Sequence, residues 1–309
     1  MTLQPVIQFP PAAVYLRPGY AVAMNYRHAF HAGNHADVLK HVVLLAICDA
    51  LTVKPAPCFA LDTHAGAGLY SLLDEQAQRT GEADGGIGRL LDAPARSPAV
   101  ARYLDAVAAC RAAHGEATYP GSPWLLAHAL REQDRIACCE IEPGAQAALR
   151  QSVGRDPRVA VHGRDGYEAC RALLPPRQGG QAFARGLVLI DPPYEAQRAE
   201  FDTALSAMRD AMSRWPQGIQ ALWYPIKQSR TLTPFFRAAG KLQTRSTLVV
   251  ELLVRPDDSP LRMNGSGLLL LDPPWQLATT LAPALDELGR RLGEDGTGST
   301  RLHWLREPA

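Results

Sequence analysis

The tetrapeptide Asp191-Pro192-Pro193-Tyr194 has the residue types needed to activate an aromatic amine such as N6 of adenine. Such an amine is a poor nucleophile because its lone pair is delocalised into the ring. The Asp191 carboxylate and the Pro192 carbonyl can accept its two N–H hydrogens and free that lone pair, and Asp191 can also take the released proton. Two consecutive prolines hold the carbonyl rigidly without adding a donor, and Tyr194 offers a face on which an extruded base can stack.

A second copy of this pattern, Asp272-Pro273-Pro274-Trp275, also ends an apolar run, so one of the two is expected to be only a turn. In open α/β sheets, ligands bind beyond the carboxyl ends of the strands, where the strand order reverses. The predicted strand 186–191 should lie beside the first strand at that point, whereas 266–272 belongs to a terminal hairpin. The sequence therefore favours Asp191 as the catalytic carboxylate.

The segment Leu61-Asp62-Thr63-His64-Ala65-Gly66-Ala67-Gly68 closes the first predicted strand. Glycines at this place allow a ligand to approach the backbone closely. Glu140 closes the next strand and can accept hydrogen bonds from both ribose hydroxyls of a nucleoside. An ordinary glycine turn with a surface glutamate is the alternative. Asp165-Gly166, after the third strand, can bind an adenine amino group or simply cap the following helix.

Four of the nine histidines fall between Tyr26 and His41. His31 and His35 stand four residues apart, which raises the possibility of a metal site. However, Asn34 and Asp37 have the pattern of a helix N-cap, which puts His31 before the helix and His35 in its first turn. We therefore expect no metal here, and a polar wall that contacts cofactor and phosphates is the favoured interpretation.

The composition is that of a globular chain: 309 residues, 47% hydrophobic, with a formal net charge of +1. No apolar run approaches the roughly 18 residues of a membrane span. The six cysteines include no C-x-x-C pair, which argues against a disulfide framework or zinc ribbon and favours the cytoplasm. Residues 225–262 hold seven Lys/Arg against three acidic residues, either a solvated face or a phosphate track.

Short apolar runs alternate with longer helical patterns, which indicates a doubly wound parallel sheet. The predicted strands are 58–62, 135–140, 158–162, 186–191, 219–224, 245–254 and 266–272. The first predicted helix follows the Asn34 cap and ends near Val53, and the others are 121–130, 143–152, 166–174, 196–215, 227–240 and 277–292. The last two strands are joined too tightly for a crossover helix and should form an antiparallel hairpin. This is the seven-stranded, Rossmann-like α/β plan of S-adenosylmethionine-dependent methyltransferases.

Two segments lie outside this alternation. Residues 71–118 are rich in Ala, Leu, Asp, Glu and Arg, and we interpret them as an inserted small helical subdomain of a methyltransferase domain at 24–309. Residues 1–23 contain four prolines and one charge, and we expect a disordered extension or a start at Met24 rather than a secretion signal.

The run YRHAFHAGNHADVLKH, followed in order by LDTHAGAG, YPGSP, GLVLIDPPY and ALWYP, closely resembles the ribosomal large-subunit RNA adenine-N6 methyltransferase J family. The resemblance covers residues 24–309. It implies S-adenosylmethionine as donor and protein-free 23S rRNA as substrate, with Asp191 as the catalytic residue. Tyr26 and His28 would border the target adenine. The cofactor contacts that it implies are Lys40, His41, His64, Ser122, Glu140, Asp165 and Gly166; the glycine loop adds Gly66, and Asp191 is expected to border the cofactor as well.

The sequence thus predicts methylation of the N6 amine of one adenine in 23S rRNA, by direct transfer to a flipped base. No membrane, metal or obligate protein partner is expected. Two alternatives remain open at this stage. One is a DNA adenine-N6 methyltransferase, because the same tetrapeptide serves DNA, and the other is a nucleic-acid-binding protein with a vestigial cofactor site.

Overall fold

A computed structural model describes residues 28–194, 197–260 and 263–308 of the chain. Within these ranges the main sheet has eight strands: β1 (Phe59–Asp62), β2 (Arg135–Cys139), β3 (Val159–His162), β4 (Gly186–Ile190), β5 (Gly218–Ile226), β6 (Thr247–Leu253), β7 (Gly265–Leu271) and β8 (Ser299–Arg306). Their order across the sheet is β8-β6-β7-β5-β4-β1-β2-β3. Strands β1 to β5 are parallel to one another, whereas β7 is antiparallel to β5 and to β6, and β6 is antiparallel to β8.

Helices cover both faces of this sheet. They are α1 (His35–Thr52), α2 (Glu75–Thr80), α3 (Pro98–His114), α4 (Ser122–Ala129), α5 (Pro143–Ser152), α6 (Gly166–Ala172), α7 (Gln197–Arg214), α8 (Thr233–Ala239) and α9 (Leu277–Leu292). Shorter helical turns lie at His28–Phe30, Asp84–Gly88, Arg89–Leu91, Ser229–Leu232 and Glu294–Gly296. Two small ladders join Leu69–Ser71 to Thr118–Pro120 and Arg177–Gln178 to Gln181–Ala182.

Successive residues of the central strands face opposite sides of the sheet, because side chains alternate along a strand. In β1, Ala60 packs into one hydrophobic cluster while Phe59 and Leu61 pack into the other. Every residue of β4 is buried, as expected for a parallel strand that helices cover on both faces. The predicted Rossmann-like α/β fold is confirmed, and β4 lies beside β1 at the point where the strand order reverses.

The start of α1 follows the predicted N-cap. The side-chain oxygen of Asn34 accepts hydrogen bonds from the backbone N–H groups of Ala36 and Asp37 at 2.9 and 3.0 Å. Such a cap satisfies donors that have no partner within the helix. It fixes the first turn of α1, from which the side chains of Asp37 and Lys40 project into the protein.

The structure departs from the sequence-based elements in two places. The helix predicted over 227–240 is divided into the turn Ser229–Leu232 and α8, where Pro234 occupies the first turn and, without an N–H, favours a new helix start. Strand β8 was missed, and it adds an eighth strand at the edge beside β6. Most of the segment predicted as a helical insertion is helical, as α2, α3 and the turns between them; its status as a separate subdomain stays a prediction.

All six cysteines are free and buried. In the part of the chain that the structure describes, none of the helices combines the length and the apolar character needed to cross a membrane.

Candidate active site

The carboxyl ends of β1, β2, β3 and β4 meet at a cleft of about 650 Å³. Many residues predicted from separate motifs converge here, because parallel strands bring their carboxyl ends to one edge of the sheet. The predicted site residues that line the cleft are His28, Lys40, His41, His64, Gly66, Ser122, Glu140, Asp165, Gly166, Asp191 and Pro192.

Asp191 follows β4 and is tied to α1 by a buried lysine. Lys40 Nζ donates to Asp191 Oδ2 at 2.6 Å and lies 2.9 Å from Asp37 Oδ1. Asp37 Oδ2 accepts a hydrogen bond from the Gly33 N–H and lies 3.0 Å from His28 Nε2. This network holds one oxygen of Asp191. Among the described residues nothing occupies the other, Oδ1, which can therefore accept from a ligand.

The charges of this network stabilise each other inside the protein, where Lys40 is 4% and Asp37 1% exposed. Burial by itself disfavours ionisation of Asp37, but His28 and Lys40 hold its pKa well below the usual value. Burial likewise disfavours the Lys40 cation, yet Asp191 and Asp37 raise its pKa well above the usual value. Lys40 is therefore a fixed cation at neutral pH, and it positions the Asp191 carboxylate.

The loop after β1 and the end of β2 form a second part of the cleft. Glu140 Oε2 accepts from the Gly66 N–H at 2.9 Å, and Oε1 accepts from the Glu142 N–H at 2.7 Å. Burial raises the pKa of Glu140, while those N–H groups oppose the rise. An ionised carboxylate offers about four acceptor sites, so Glu140 can still accept from two hydroxyls.

If Glu140 holds the ribose of S-adenosylmethionine, as the sequence predicts, its replacement with alanine should raise the Kd for that cofactor by about 10- to 150-fold, because the variant would have no charged acceptor for the two hydroxyls. The kcat at saturating cofactor should change little, since Glu140 lies at the end of β2 rather than beside Asp191. Calorimetric titration measures the Kd, and thermal unfolding checks that the variant is folded. A folded variant with the wild-type Kd would contradict the ribose role.

A serine directly before Pro123 predicts a capping hydroxyl followed by a proline at the first helical position, but Ser122 does not cap its helix. The N-cap of α4 is Gly121, and the Ser122 hydroxyl instead donates to Asp62 Oδ2 at 2.6 Å. Asp62 is fully buried at the end of β1, and its Oδ1 has no hydrogen-bond partner in the described chain. Burial raises the pKa of Asp62 to about 7, although the Ser122 hydrogen bond opposes that shift.

The raised pKa of Asp62 predicts a pH-dependent stability. Between its usual value of 3.8 and about 7, the folded protein holds a proton that the unfolded chain has released. The contribution of this group to the free energy of unfolding is therefore fully present below pH 4 and is lost as pH rises through 7. Asparagine does not ionise, so the free energy of unfolding of Asp62→Asn relative to wild type should be up to about 4 kcal/mol greater at pH 8 than at pH 4. Urea unfolding at both pH values checks this, and an equal difference at the two would refute it.

His64 and Asp165 line the cleft just after β1 and β3 and are placed by local hydrogen bonds. His64 Nδ1 lies 2.7 Å from the Thr63 hydroxyl, and burial lowers the pKa of His64 to about 4, so the ring is neutral. Asp165 Oδ1 caps α6 by accepting from the Glu168 N–H at 2.9 Å. In the described chain nothing bonds the other oxygen of Asp165, so the capping and adenine-binding interpretations are compatible.

Tyr194 does not line the cleft. It is 7% exposed, its ring packs against Phe201 and Trp223, and its hydroxyl donates to the Trp223 carbonyl at 2.8 Å. Its φ of +51° is unusual for a residue with a side chain. In this conformation Tyr194 shapes the turn after Pro193, and stacking of a base on its ring stays a prediction. Tyr26 lies outside the described residues.

Asp272 is placed as a turn residue. One oxygen accepts from the Thr244 hydroxyl and from the backbone N–H groups of Arg245 and Ser246. It follows β7, which is antiparallel to β5, so it lies at the edge of the sheet opposite the cleft. This agrees with the choice of Asp191 over Asp272.

The predicted basic stretch is not a continuous lining of the cleft. Arg255 is paired with Glu294, and Arg245 lies 3.3 Å from Asp272. Lys227 and Arg230 follow β5 at the cleft edge of the sheet and are exposed, but no described residue of 225–260 lines the cleft itself. A phosphate-binding role for this stretch stays a prediction.

The histidine-rich segment is divided among separate contacts. His31 Nδ1 lies 3.0 Å from Glu82, whereas His35 is buried in α1 with its Nδ1 unpartnered in the described chain. The residues that the structure describes contain no group of three or more His, Cys, Asp or Glu side chains placed to hold a metal ion.

Two residues that contact the lining of the cleft are not among the predicted site residues. The sequence assigns Asp37 only to the start of the helix, but residues i and i+3 of one helix share a face, which could have linked Asp37 to Lys40. Tyr119 belongs to the motif YPGSP, which assigns it no role, and its hydroxyl lies 3.0 Å from His41 Nδ1.

Comparison with known proteins agrees with this geometry. The family model described as ribosomal RNA large subunit methyltransferase D, RlmJ, matches residues 55–306. Ribosomal RNA large subunit methyltransferase J of Haemophilus influenzae is 38% identical over 283 residues, 91% of this chain and 99% of that protein. The Escherichia coli protein of the same name is 38% identical over 285 residues, with the same coverage.

Among solved structures, the crystal structure of a Legionella pneumophila protein superposes with a TM-score of 0.77 at 29% identity. It covers 88% of this chain and 98% of that one. The matches span nearly the whole length of these relatives. The chain belongs to the ribosomal RNA large subunit methyltransferase J family.

Proposed function

We propose that this protein methylates the N6 amine of one adenine in 23S rRNA, with Asp191 and Pro192 as the groups that receive the amine. The observation that carries this proposal is the position of Asp191: it follows β4 at the switch point, lines the cleft, and has one oxygen held by Lys40 while the other is unoccupied by any described residue. A carboxylate held in this way is prepared to accept from an incoming amine.

The residues of the cleft fit S-adenosylmethionine. Gly66 lines the cleft, and glycine is required there because its φ is +60° and a Cβ would collide with the Tyr70 hydroxyl. His41, which lines the cleft, has a buried polar atom, Nε2, without a partner in the described chain. Glu140 would hold the ribose, and Asp165 the adenine of the cofactor. When bound, the cofactor supplies an electrophilic methyl group carried on sulfur.

The chain's own groups activate the target amine. Asp191 Oδ1 accepts one N–H of the amine, and the Pro192 carbonyl accepts the second; in the described chain that carbonyl accepts no other hydrogen bond. Both contacts draw the nitrogen lone pair out of the ring. As the nitrogen gains its new bond to carbon, Asp191 takes the proton that it releases. Lys40 keeps Asp191 in place throughout.

The substrate must present an unstacked base, because an amine inside a helix cannot reach the bottom of the cleft. His28 lines the cleft beside Asp37, and we propose that it borders the target adenine together with Tyr26. Protein-free rRNA is the proposed substrate and no obligate protein partner is invoked. An rRNA substrate and six buried thiols suit the cytoplasm.

Methyl transfer from labelled S-adenosylmethionine to protein-free 23S rRNA and to duplex DNA tests the proposal. We expect label in the rRNA, as N6-methyladenosine at a single position after nuclease digestion and mass spectrometry, and little in the DNA. Incorporation into DNA alone would identify a DNA adenine methyltransferase. A well-folded protein that binds no S-adenosylmethionine in calorimetric titration would indicate a vestigial cofactor site, and either result would overturn the proposal.

A further inference from the structure

The segment between β1 and β2 contributes two buried tyrosines to the neighbourhood of the cleft. Tyr103 belongs to α3, and Tyr119 belongs to the short strand Thr118–Pro120. Both are fully buried. Their hydroxyl groups lie 2.9 Å apart, and the Tyr119 hydroxyl lies 3.0 Å from His41 Nδ1. A chain of three polar groups therefore runs from the inserted helices to a histidine in the cleft wall.

His41 is fully buried and neutral. Burial lowers its pKa to about 3, so only one ring nitrogen carries a proton at neutral pH. The second nitrogen, Nε2, has no partner in the described chain although His41 lines the cleft. A buried polar atom without a partner costs about 1–3 kcal/mol, and a ligand in the cleft can recover that cost by pairing with it.

The three protons of this chain can be arranged in two ways. If Tyr103 donates to Tyr119 and Tyr119 donates to His41 Nδ1, the imidazole proton is on Nε2; if Nδ1 donates to Tyr119, the chain reverses. Either arrangement leaves one donor without a partner in the described chain. In the reversed chain it is the hydroxyl of Tyr103, which is fully buried and does not line the cleft. In the first arrangement it is Nε2–H of His41, a residue that lines the cleft, so a ligand there can accept from it and favours this arrangement.

We propose that Tyr103 and Tyr119 are positioning residues that fix His41 in the tautomer with its proton on Nε2, so that His41 donates to an acceptor of the cofactor, most simply its carboxylate. This inference rests on the proposed function, because it assumes that S-adenosylmethionine occupies the cleft. It gives the inserted helices a role: they orient a cofactor-binding side chain without touching the cofactor.

Nitrogen-15 NMR of the histidine-labelled wild-type protein tests the tautomer directly, since protonated and unprotonated ring nitrogens have well separated shifts. We expect a proton on Nε2 of His41. In Tyr119→Phe the shifts should move toward a mixture of tautomers. The Kd for S-adenosylmethionine should rise about two- to tenfold, because a smaller fraction of His41 carries its proton on Nε2, and kcat at saturating cofactor should stay within about twofold.

Tyr224→Phe is the matched control. Tyr224 is equally buried, and its hydroxyl bonds to Glu251 in the antiparallel part of the sheet. That variant should keep the wild-type Kd even if it is less stable. A wild-type His41 with its proton on Nδ1, or a Tyr119→Phe protein with unchanged Kd, would overturn the proposal that the two tyrosines fix the His41 tautomer. Either result would leave the proposed function intact. A wild-type protein that binds no S-adenosylmethionine would instead overturn the proposed function.

Discussion

Replacing Asp191 with asparagine is expected to lower kcat on 23S rRNA by about 10²–10⁴-fold, the range for loss of a positioned general base. Asparagine has the same shape and keeps an oxygen for Lys40, but it cannot take the proton from the amine. The Kd for S-adenosylmethionine should change by less than about threefold, because Asp191 acts on the target amine rather than on the cofactor. Single-turnover methylation assays and calorimetry measure the two quantities separately.

The matched control is Asp272→Asn, in the second copy of the same tetrapeptide. Asp272 caps a turn at the far edge of the sheet, so this variant should lose some stability but retain wild-type kcat. If Asp272→Asn were the inactive variant and Asp191→Asn the active one, the assignment of the catalytic carboxylate would be wrong.

Replacing Lys40 with methionine is expected to destabilise the protein by about 3–5 kcal/mol, the cost of removing one partner from a buried ion pair. The Asp37 and Asp191 carboxylates would then face each other without the cation that now lies 2.9 and 2.6 Å from them. Methylation should also fall sharply, because Asp191 would no longer be held in position by Lys40. Urea unfolding and the methylation assay measure the two effects.

The pH dependence of the Lys40→Met deficit provides a further check. In wild type, the ionised Asp37 and Lys40 stabilise the fold above the usual aspartate pKa of 3.8 and below the usual lysine pKa of 10.5. The deficit of the variant should therefore shrink as pH falls toward 4, because the buried Asp37 carboxylate, having lost its cation, can take up a proton there. Arg79→Met, which removes an exposed pair with Glu75, should cost at most about 1 kcal/mol at any pH. Equal deficits in both variants would contradict a buried network.

The catalytic carboxylate could be chosen from the sequence because topology has few solutions. The strand that ends at Asp191 follows the third strand, and in doubly wound sheets that strand returns to lie beside the first. The hairpin that holds Asp272 was indicated by a link too short for a crossover. The convergence of Glu140, Asp165 and Asp191 follows from the same rule, since the ends of parallel strands share one edge.

Other features depend on tertiary contacts that local patterns do not specify. Ser122 has the position of a helix cap in the sequence, but the buried carboxylate of Asp62, sixty residues earlier, takes its hydroxyl instead. Strand β8 is a half-buried edge strand with charged residues among its apolar ones, so its alternation is weak. The burial of Tyr194 depends on Phe201 and Trp223, which belong to other elements.

The most direct test of the central claim is mass-spectrometric mapping of 23S rRNA from host cells that lack this protein and carry either wild type, Asp191→Asn or Asp272→Asn on a plasmid. The account predicts that one N6-methyladenosine is absent without the protein, is restored by wild type and by Asp272→Asn, and is not restored by Asp191→Asn. Unchanged methylation in the cells without the protein, or restoration by Asp191→Asn, would contradict it.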